Sequence, residues 1–521
     1  MLRFEGYELD PERAELRGPD GEVMRLRRKS FDMLWLFATH ARRVLSKQEL
    51  IEAVWPGVHV SEDGLFQCIR EIRSALGDDR RERIRLVSGR GYMFDIVVSN
   101  GPVPMAAGRA SDGHFAAKPP TIGVMPMTTA NDPHLAEMAA NVSERLTGGL
   151  ARIERLRVVT PSPVASTSPQ GATTAAADFV VSGELQKSEG KWEARARMTS
   201  TSTGEVRWSN SVAVSAEEAD LALQQSRLAA GLGHSLALRI NALQNCAALM
   251  VGGGEGELPA GHAKVVVEQA TAIINQTSPE RFRAAQEMLE KALAADPDNV
   301  DLQVTLASHL LRGIQSVWYD PADIAATESA AQALVERALQ AKPHYLPVLE
   351  AYCRFQTATN RLSESLIACG RTLSFDPWHG VALFNLGIAQ ILQGRFEEAL
   401  ATFKQADAFD TPPFARWTWL LGAGLVCTLM GRYQAALPWL ERSLAITPGT
   451  GRTHFVLAAV YQQLGRNKDA KAAIAKGLEL RPGSTTGNFE LPRKNASPFF
   501  IAASERLTQI LAELGLPAQR A

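Results

Sequence analysis

The chain has 521 residues, and its 55 basic and 56 acidic side chains leave a formal net charge of −1. At roughly 100–200 residues per domain, this length predicts about three or four domains. The composition, 45% hydrophobic and 21% charged, is typical of globular proteins; it argues against wholesale disorder and excludes a uniformly basic chain. A local basic face is compatible with this balance, because a summed charge hides asymmetry.

The cysteines and the N-terminus both indicate the interior of the cell. Five cysteines are scattered without a C-x-x-C pair, which predicts buried reduced thiols rather than a disulfide framework. Acidic residues interrupt the N-terminus early and no apolar h-region follows, so we do not expect a signal peptide. No window reaches the roughly 18 uninterrupted apolar residues that a membrane span needs. We therefore expect a soluble, cytoplasmic chain without a membrane partner.

Residues 1–98 show the order of elements of a winged helix-turn-helix, which is an α+β fold. Turn residues at Asp10-Pro11 and Pro19-Asp20-Gly21 separate short strand patterns, and Ser46-Lys47-Gln48-Glu49 is a capping box before a helix. The predicted elements are strands within Phe4–Leu9, Ala14–Arg17 and Glu22–Leu26, helices starting near Phe31, Ser46 and Ser61, and a β-hairpin over residues 83–97.

Four segments of this block are more specific than the order of its elements. They are Leu26–Leu36, Val44–Gly57, Ile69–Asp79 and Gly89–Phe94. Together they resemble the OmpR/PhoB-type DNA-binding domain, in particular its CadC- and HilA-type branch. The resemblance implies a bacterial transcription regulator with one helix in the major groove of DNA and a wing in the minor groove. The sequence shows neither a receiver pattern before this module nor a transmembrane pattern after it, so we expect neither receiver activation nor membrane sensing.

The third predicted helix has two contrasting faces at 100° per residue. The apolar face, expected in the core, consists of Leu65, Ile69, Ile72 and Leu76, and the polar face of Asp63, Gln67, Arg70 and Ser74, flanked by Phe66, Glu71 and Arg73. An arginine or glutamine side chain on this face can form two hydrogen bonds at once with the edge of a guanine or adenine base. Arg73, which flanks the face, is better placed to contact a phosphate group. Glu71 has two alternatives, cytosine N4 or a neighbouring arginine. The alternative for the whole face is an ordinary solvated helix surface.

Arg90 stands between two glycines at the tip of the predicted hairpin. An arginine there suits the narrow, electronegative minor groove, and the alternative is a turn residue in water. Residues 25–90 hold 14 basic and 9 acidic side chains, a local net charge of +5. Because this excess is modest, we expect two copies to bind adjacent half-sites of double-stranded DNA as a homodimer. The candidate DNA-binding residues are Gln67, Arg70, Glu71, Arg73, Ser74 and Arg90.

The next block begins with a linker over residues 99–120, rich in Pro, Gly and Ala without periodicity. Residues 121–248 then alternate strand and helix patterns, including an amphipathic helix over Met138–Ile153 and a final helix over about 217–243. This pattern resembles the TolB-N-like α/β domain attached to many bacterial cyclases and repeat-containing regulators. Two roles stay open for it, a packing and assembly domain or a ligand-binding domain.

After a Gly-rich linker over residues 249–262, the chain repeats itself. Prolines at 297, 343, 377, 412, 448 and 482 are separated by 46, 34, 35, 36 and 34 residues, and the first gap equals 34 plus a 12-residue insertion. In one unit, the small residues Gly387 and Ala399 allow two antiparallel helices to approach closely, and Phe403 fills the space between these helices. Gly394 ends the first helix of this unit. Residues 263–482 resemble an all-α tetratricopeptide solenoid of five or six repeats, followed over residues 483–521 by a loop and a capping helix.

The sequence contains no recognisable catalytic, metal-binding or cofactor-binding constellation. Its ten histidines lack H-E-x-x-H spacing, Gly252–Gly261 lacks the Lys-Ser/Thr ending of a phosphate loop, and no nucleophile elbow occurs. We therefore expect a non-enzymatic DNA-binding regulator, without a cofactor, whose repeat array binds a protein partner. Two alternatives remain: an interaction scaffold that uses the winged helix for protein contacts, and a ligand-gated sensor acting through the middle domain.

Overall fold

The chain forms two compact units, residues 1–113 and residues 114–521. The first unit mixes strands and helices, and the second consists of an α/β domain followed by a helical array. The computed structural model of the protein describes residues 2–4, 7–10, 15–18, 22–24, 26–39, 41, 44–45, 50, 54, 62–77, 83–87, 91–94, 96, 99–100, 119–129, 133–160, 177–217, 220–250, 260–274, 279–316, 319, 322–489 and 493–518.

The N-terminal unit starts with a short antiparallel sheet. Phe4 pairs with Tyr7 across two antiparallel strands. The sequence indicated a single strand from Phe4 to Leu9, and that prediction was wrong. The missed signal is the Glu5-Gly6 pair, since a glycine there favours a two-residue hairpin. The strands of this sheet are β1 (Leu2–Phe4), β2 (Tyr7–Asp10), β3 (Glu15–Arg17), β4 (Val23–Met24) and β8 (Ser99–Asn100), in the order β4-β3-β2-β1-β8.

Helices and a three-stranded antiparallel sheet complete this unit. The predicted hairpin is confirmed by β6 and β7, whose register ends with Val87 opposite Gly91, and β5 adds a third strand that the sequence did not indicate. Of the helix predicted from Ser46, the described residues include only Leu50 and Val54, which are helical and buried. These elements are α1 (Arg28–Thr39), β5 (Val44–Leu45), α2 (Glu62–Leu76), β6 (Ile84–Val87) and β7 (Gly91–Phe94).

The core of the N-terminal unit forms where α2 meets α1 and the sheets. Leu65, Ile69, Ile72 and Leu76 expose at most 2% of their surface, which confirms the apolar face derived from helical periodicity. They share one cluster with several buried aromatic rings, including Phe37. Burial of one complete face orients the opposite face of α2 outward.

The second unit begins with a five-stranded sheet in the order β10-β9-β11-β12-β13. β9 runs parallel to β10 and β11, whereas β12 and β13 continue antiparallel. Two helices contact the sheet and each other, and their apolar residues share one buried cluster with its strands. The elements are β9 (Thr121–Val124), α3 (Pro133–Leu150), β10 (Arg157–Val159), β11 (Phe179–Ser188), β12 (Lys191–Ser200), β13 (Val206–Ser215) and α4 (Leu221–Met250).

Six antiparallel helix pairs follow among the described residues, which confirms the repeat prediction. Gly394 ends the first helix of its pair at φ +75°, and a Cβ at Gly387 would lie 2.6 Å from the Phe403 ring. The pairs are α5 (Ala260–Ile274) and α6 (Pro279–Ala295), α7 (Val300–Ser316) and α8 (Ile324–Ala341), α9 (Leu346–Ala358) and α10 (Leu362–Phe375), α11 (Gly380–Leu392) and α12 (Phe396–Phe409), α13 (Arg416–Leu429) and α14 (Tyr433–Ile446), and α15 (Gly451–Gln463) and α16 (Asn467–Leu480).

The C-terminal segment turns back over the array. A short helix, α17 (Thr486–Phe489), precedes α18 (Pro498–Glu513), and the Ser497 side chain accepts a hydrogen bond from the Phe500 backbone N–H at the start of α18. Phe500 and Leu511 are buried in the same apolar cluster as the last repeats. This helix therefore covers apolar surface that the array presents.

The middle domain is joined to the array by the turn between α10 and α11. Trp378, in this turn, is 2% exposed and belongs to the buried cluster of the middle domain. A Cβ added at Gly149 of α3 or at Gly233 of α4 would overlap its indole ring. In the same turn, Asp376 Oδ2 lies 2.5 Å from Nδ1 of His234. A turn of the array thus contributes a buried side chain to the core of the middle domain.

A disulfide corrects the prediction that the cysteines are reduced thiols. Cys353 of α9 and Cys369 of α10 are bonded, with their Cα atoms 5.1 Å apart. The prediction was wrong because it considered spacing along the chain, whereas the helix hairpin brings residues 16 positions apart together. Cys68 and Cys427 are free and buried.

Candidate nucleic-acid interface

The polar face of α2 carries three exposed candidates. Gln67, Arg70 and Ser74 are all exposed, and they alternate with the buried residues of the opposite face. Phe66, beside them, exposes 41% of its surface. Three consecutive turns of the helix therefore present a donor or acceptor group outward, together with one aromatic ring.

Glu71 is less exposed, because its carboxylate contacts the start of α1. One oxygen accepts a hydrogen bond from the Arg27 backbone N–H at 2.8 Å, and the other accepts one from the Ser30 hydroxyl at 2.9 Å. The Arg27 guanidinium Nε also lies 4.0 Å away. Of the two alternatives for Glu71, these contacts favour the one within the chain, and their effect is to fix α2 against α1.

Arg73 joins α2 to the hairpin. Its Nη2 donates a hydrogen bond to the backbone carbonyl of Ile84, the first residue of β6, at 2.6 Å. At the end of α2, the Tyr7 hydroxyl donates to the carbonyl of Leu76 at 3.0 Å, and Arg83 Nη1 donates to the same oxygen. The helix is thereby held both by the hairpin and by the N-terminal sheet.

The structure describes both strands of the hairpin, β6 and β7. Val87 and Gly91 form its last pair, and Gly91 has φ +133°. Arg90 lies outside the described residues. On the described part of the hairpin, Arg85 adds an exposed guanidinium, a residue that the sequence analysis did not single out. Its signal was the alternation of β6, in which Ile84 is buried and its neighbour faces outward.

The described residues provide neither a metal-binding cluster nor a membrane-spanning helix. Nowhere among them do three His, Cys, Asp or Glu residues come together in a way that could hold a metal ion. Of the described helices, none combines the length and apolar character needed to cross a membrane.

Comparison with known families assigns two regions of the chain. Residues 21–94 match the family described as "Transcriptional regulatory protein, C terminal", and residues 382–408 and 416–482 match tetratricopeptide repeat families. The N-terminal domain therefore belongs to the OmpR/PhoB-type winged-helix family, and the C-terminal region carries tetratricopeptide repeats.

Individual relatives are similar to this chain over its N-terminal domain. Transcriptional regulator HilA of Salmonella typhi is 31% identical over 94 residues, which cover 16% of this chain and 17% of HilA. Phosphate regulon transcriptional regulatory protein PhoB of Escherichia coli strain K12 is 30% identical over 96 residues, covering 18% of this chain and 42% of PhoB. The DNA-binding domain of E. coli CadC is 30% identical, with 19% of this chain and 94% of that domain covered and a TM-score of 0.18.

Proposed function

We propose that this chain is a sequence-specific DNA-binding transcriptional regulator. The observation that carries the proposal is α2 itself, in a domain of the transcriptional regulatory family. Its apolar face is completely buried, and the opposite face exposes Gln67, Arg70 and Ser74 beside a hairpin to which Arg73 is bonded. A helix so held can enter the major groove with its polar side chains toward base edges.

In this proposal each candidate residue of α2 has its own role. Arg70 and Gln67 present paired hydrogen bonds to guanine and adenine edges, and Ser74 contributes a hydroxyl group. Arg73, at the edge of the same face, contacts phosphate, which sets the register of the helix on DNA. Glu71 acts mainly by positioning α2 against α1, because both of its oxygens already accept hydrogen bonds there.

The hairpin forms the wing of the proposed interface. Arg90 enters the minor groove, where a narrow groove concentrates negative potential. Arg85, exposed on β6, adds positive charge to the same hairpin and favours contact with the DNA backbone. Two copies of the chain bind adjacent half-sites of double-stranded DNA, which compensates for the modest charge of one domain.

We propose that the rest of the chain controls this domain without catalysis, in the cytoplasm. Residues 121–248 form a TolB-N-like assembly domain, and the repeat array of residues 263–482 binds a protein partner on its concave surface. Partner or ligand binding to residues 121–521 changes dimerisation or the availability of α2. The proposed segments are 1–98 for DNA binding, 99–120 and 249–262 as linkers, and 483–521 as the C-terminal loop and cap. The first linker is shorter than this by β8 (Ser99–Asn100), which pairs with β1, and the second is bounded by α4, which ends at Met250, and α5, which begins at Ala260.

The test begins with selection of bound fragments from random DNA by the purified full chain. The selected site is then titrated by fluorescence anisotropy against the natural chain, Arg70→Ala and Arg17→Ala. Arg70→Ala is expected to weaken binding about 5–150-fold, equivalent to about 1–3 kcal/mol, and to relax preference at one base pair. Arg17→Ala is the matched control, since Arg17 lies in β3 and pairs with Glu15.

Three outcomes would contradict the proposal or parts of it. An unchanged footprint with Arg70 and Arg90 both replaced by alanine would show that neither residue contacts DNA. Failure to retain genomic fragments even at low salt, where electrostatic attraction is strongest, would favour the scaffold alternative. Binding of DNA that depends on a small molecule acting on residues 121–250 would favour the ligand-gated sensor.

A further inference from the structure

The helical array, together with α4 of the middle domain, lines a large cavity that is partly open to solvent. Its volume is about 920 Å³, which lies in the range of roughly 300–1,000 Å³ that is usual for small-molecule sites. One part of its wall is apolar, with Phe384, Ile388, Leu421 and Leu425. Another part is strongly charged, with four arginines and two glutamates: Arg312, Arg354, Arg452, Arg481, Glu280 and Glu350.

Two of the arginines face each other across neighbouring repeats. Arg312 projects from α7 and Arg354 from α9, which are the first helices of successive pairs. Arg354 lies 3.4 Å from Glu350, but in the described part of the chain no carboxylate is within 4.0 Å of Arg312. Burial, followed by repulsion from Arg354, lowers the pKa of Arg312 to about 10. The Arg312 charge is therefore recessed and uncompensated.

The other two arginines come from the far end of the array. Arg452 projects from α15, and Arg481 immediately follows α16. Arg452 donates hydrogen bonds to two backbone carbonyls, those of Gln315 at 3.0 Å and Phe489 at 3.1 Å, so its charge is not neutralised by a carboxylate among the described residues. Burial, followed by repulsion from Arg481, lowers the pKa of Arg452 to about 10.

The contact of Arg452 with the Gln315 carbonyl links α15 to the end of α7. Gln315 and Arg312 are three residues apart on α7 and therefore on the same face of that helix. Arg452 reaches this face from the sixth helix pair, while Arg354 approaches it from the third. The Arg452 guanidinium therefore contacts the last turn of α7, on which Arg312 also lies. Of the two glutamates in the wall, Glu350 is already shared between Arg354 and His379 Nε2, which lies 3.4 Å away.

We infer that this cavity is a binding site for a small organic anion that carries carboxylate or phosphate groups. The recessed charges of Arg312 and Arg452, which have no carboxylate partner among the described residues, are costly to bury, and an anion supplies the missing negative charge. Guanidinium groups match carboxylate and phosphate oxygens in a bidentate manner. The apolar wall at Phe384 and Leu421 contacts the carbon skeleton of the ligand. A cavity of this volume accommodates a small molecule.

The first test needs no ligand. Arg312→Met keeps the length of the side chain and removes its charge, so the empty protein is expected to become more stable, with a melting temperature about 2 °C or more higher. The matched control is Arg442→Met, because Arg442 bonds to the buried carboxylate of Asp407 at 2.7 Å and its loss should lower the melting temperature. A decrease for Arg312→Met in a correctly folded chain would mean that Arg312 is a structural residue, and this would overturn the inference.

The second test titrates the full chain with citrate and, separately, with sodium tripolyphosphate at constant ionic strength in a calorimeter. Saturable one-site binding of at least one probe is expected, and Arg312→Met should weaken it at least 10-fold whereas Arg442→Met should not. The inference is overturned when neither probe saturates, or when Arg312→Met binds as tightly as the natural chain. Binding of a ten-residue oligoglutamate with no binding of either probe would assign the cavity to a peptide and likewise reject it.

These tests are independent of DNA recognition, because the cavity lining and the substituted residues all lie outside the N-terminal unit of residues 1–113. Loss of DNA binding in Arg70→Ala leaves the anion titration unchanged, and failure of the titration leaves the winged-helix proposal intact. A regulatory role for the cavity rests on the proposed function, which is DNA binding by the N-terminal domain. A probe that binds saturably should then change the affinity of the natural chain for its selected DNA, and Arg312→Met should remove that change.

Discussion

Replacement of Trp378 by alanine is expected to separate the middle domain from the repeat array. The side chain belongs by sequence to a repeat turn, but its indole ring is 2% exposed within the core of the middle domain. The ring fits against Gly149 and Gly233, where a Cβ would overlap it. The turn residue therefore acts as a core residue of the neighbouring domain, and its removal leaves a cavity at the junction.

The magnitude follows from the buried area. An aromatic side chain of this kind buries about 150–250 Å², which at about 25 cal/mol per Å² corresponds to roughly 4–6 kcal/mol. Since an extended unfolded reference overestimates this value, about 3–5 kcal/mol is expected, as for other Trp→Ala changes in cores. Polar contacts at the junction include His234–Asp376 and Asn241 Oδ1 with the Leu346 N–H, and each contributes about 1 kcal/mol net. Trp378 thus contributes at least as much as these contacts together.

Differential scanning calorimetry of the full chain is the assay. In the natural protein we expect residues 114–521 to unfold as one cooperative unit, and in Trp378→Ala we expect the middle domain and the array to unfold separately. Phe455→Ala is the control, because Phe455 is equally buried but packs against Gly477 within the last repeat. A Trp378→Ala chain that keeps both the stability and the single transition of the natural chain would refute the reasoning.

Three further predictions concern single buried or partly buried groups. Glu71→Ala should lower the stability of the N-terminal unit by about 1–3 kcal/mol in urea denaturation, because the Arg27 N–H and the Ser30 hydroxyl lose their acceptor. Asp407→Asn should cost about 3–5 kcal/mol, because this buried carboxylate is within 4.0 Å of Arg227, Arg416 and Arg442. His309 is buried against Phe282, and burial lowers its pKa to about 4. The unfolded chain then binds the proton more readily than the folded chain, so stability should fall by about 3 kcal/mol as pH decreases from 6.5 to 4, and His309→Phe should reduce this loss.

Each of these predictions has an outcome that contradicts it. A Glu71→Ala protein of unchanged stability with altered preference at one base pair would make Glu71 a base-contacting residue. Asp407→Asn should cost far more than Glu398→Gln, since the Glu398 pair with Arg395 is exposed, and equal effects would argue against the buried cluster. Identical pH profiles for His309→Phe and the natural chain would show that other groups cause the acid destabilisation.

The sequence predicts those parts of the fold that depend on local periodicity. The apolar face of α2 follows from 100° per residue, and all four of its predicted core residues are buried. The repeat pairs follow from prolines about 34 residues apart and from glycines such as Gly394 at the turns. Both patterns are contained within one helix or one hairpin, so no knowledge of distant contacts is needed.

The disulfide could have been predicted from the repeat period. The sequence predicts that Gly387 lies where the two helices of one pair approach closely and that Phe403 fills the space between them, and the structure places the Phe403 ring against Gly387. Cys353 and Cys369 occupy the positions 34 residues earlier, so the period itself places their side chains face to face. A count of cysteines along the chain does not contain this information, because the pairing results from the antiparallel register of α9 and α10.

The two candidate sites differ in predictability because of the sequence distance that each one spans. Gln67, Arg70 and Ser74 lie within eight residues of one helix, and periodicity alone aligns them. Arg312 and Arg452 are ordinary polar positions of separate repeats in the sequence. They line one cavity because α15 comes close to the end of α7, as the hydrogen bond from Arg452 to the Gln315 carbonyl shows. That curvature is the accumulated result of side-chain packing between successive repeats, so a substitution at any of those interfaces should shift the arginine cluster while leaving every local sequence pattern intact.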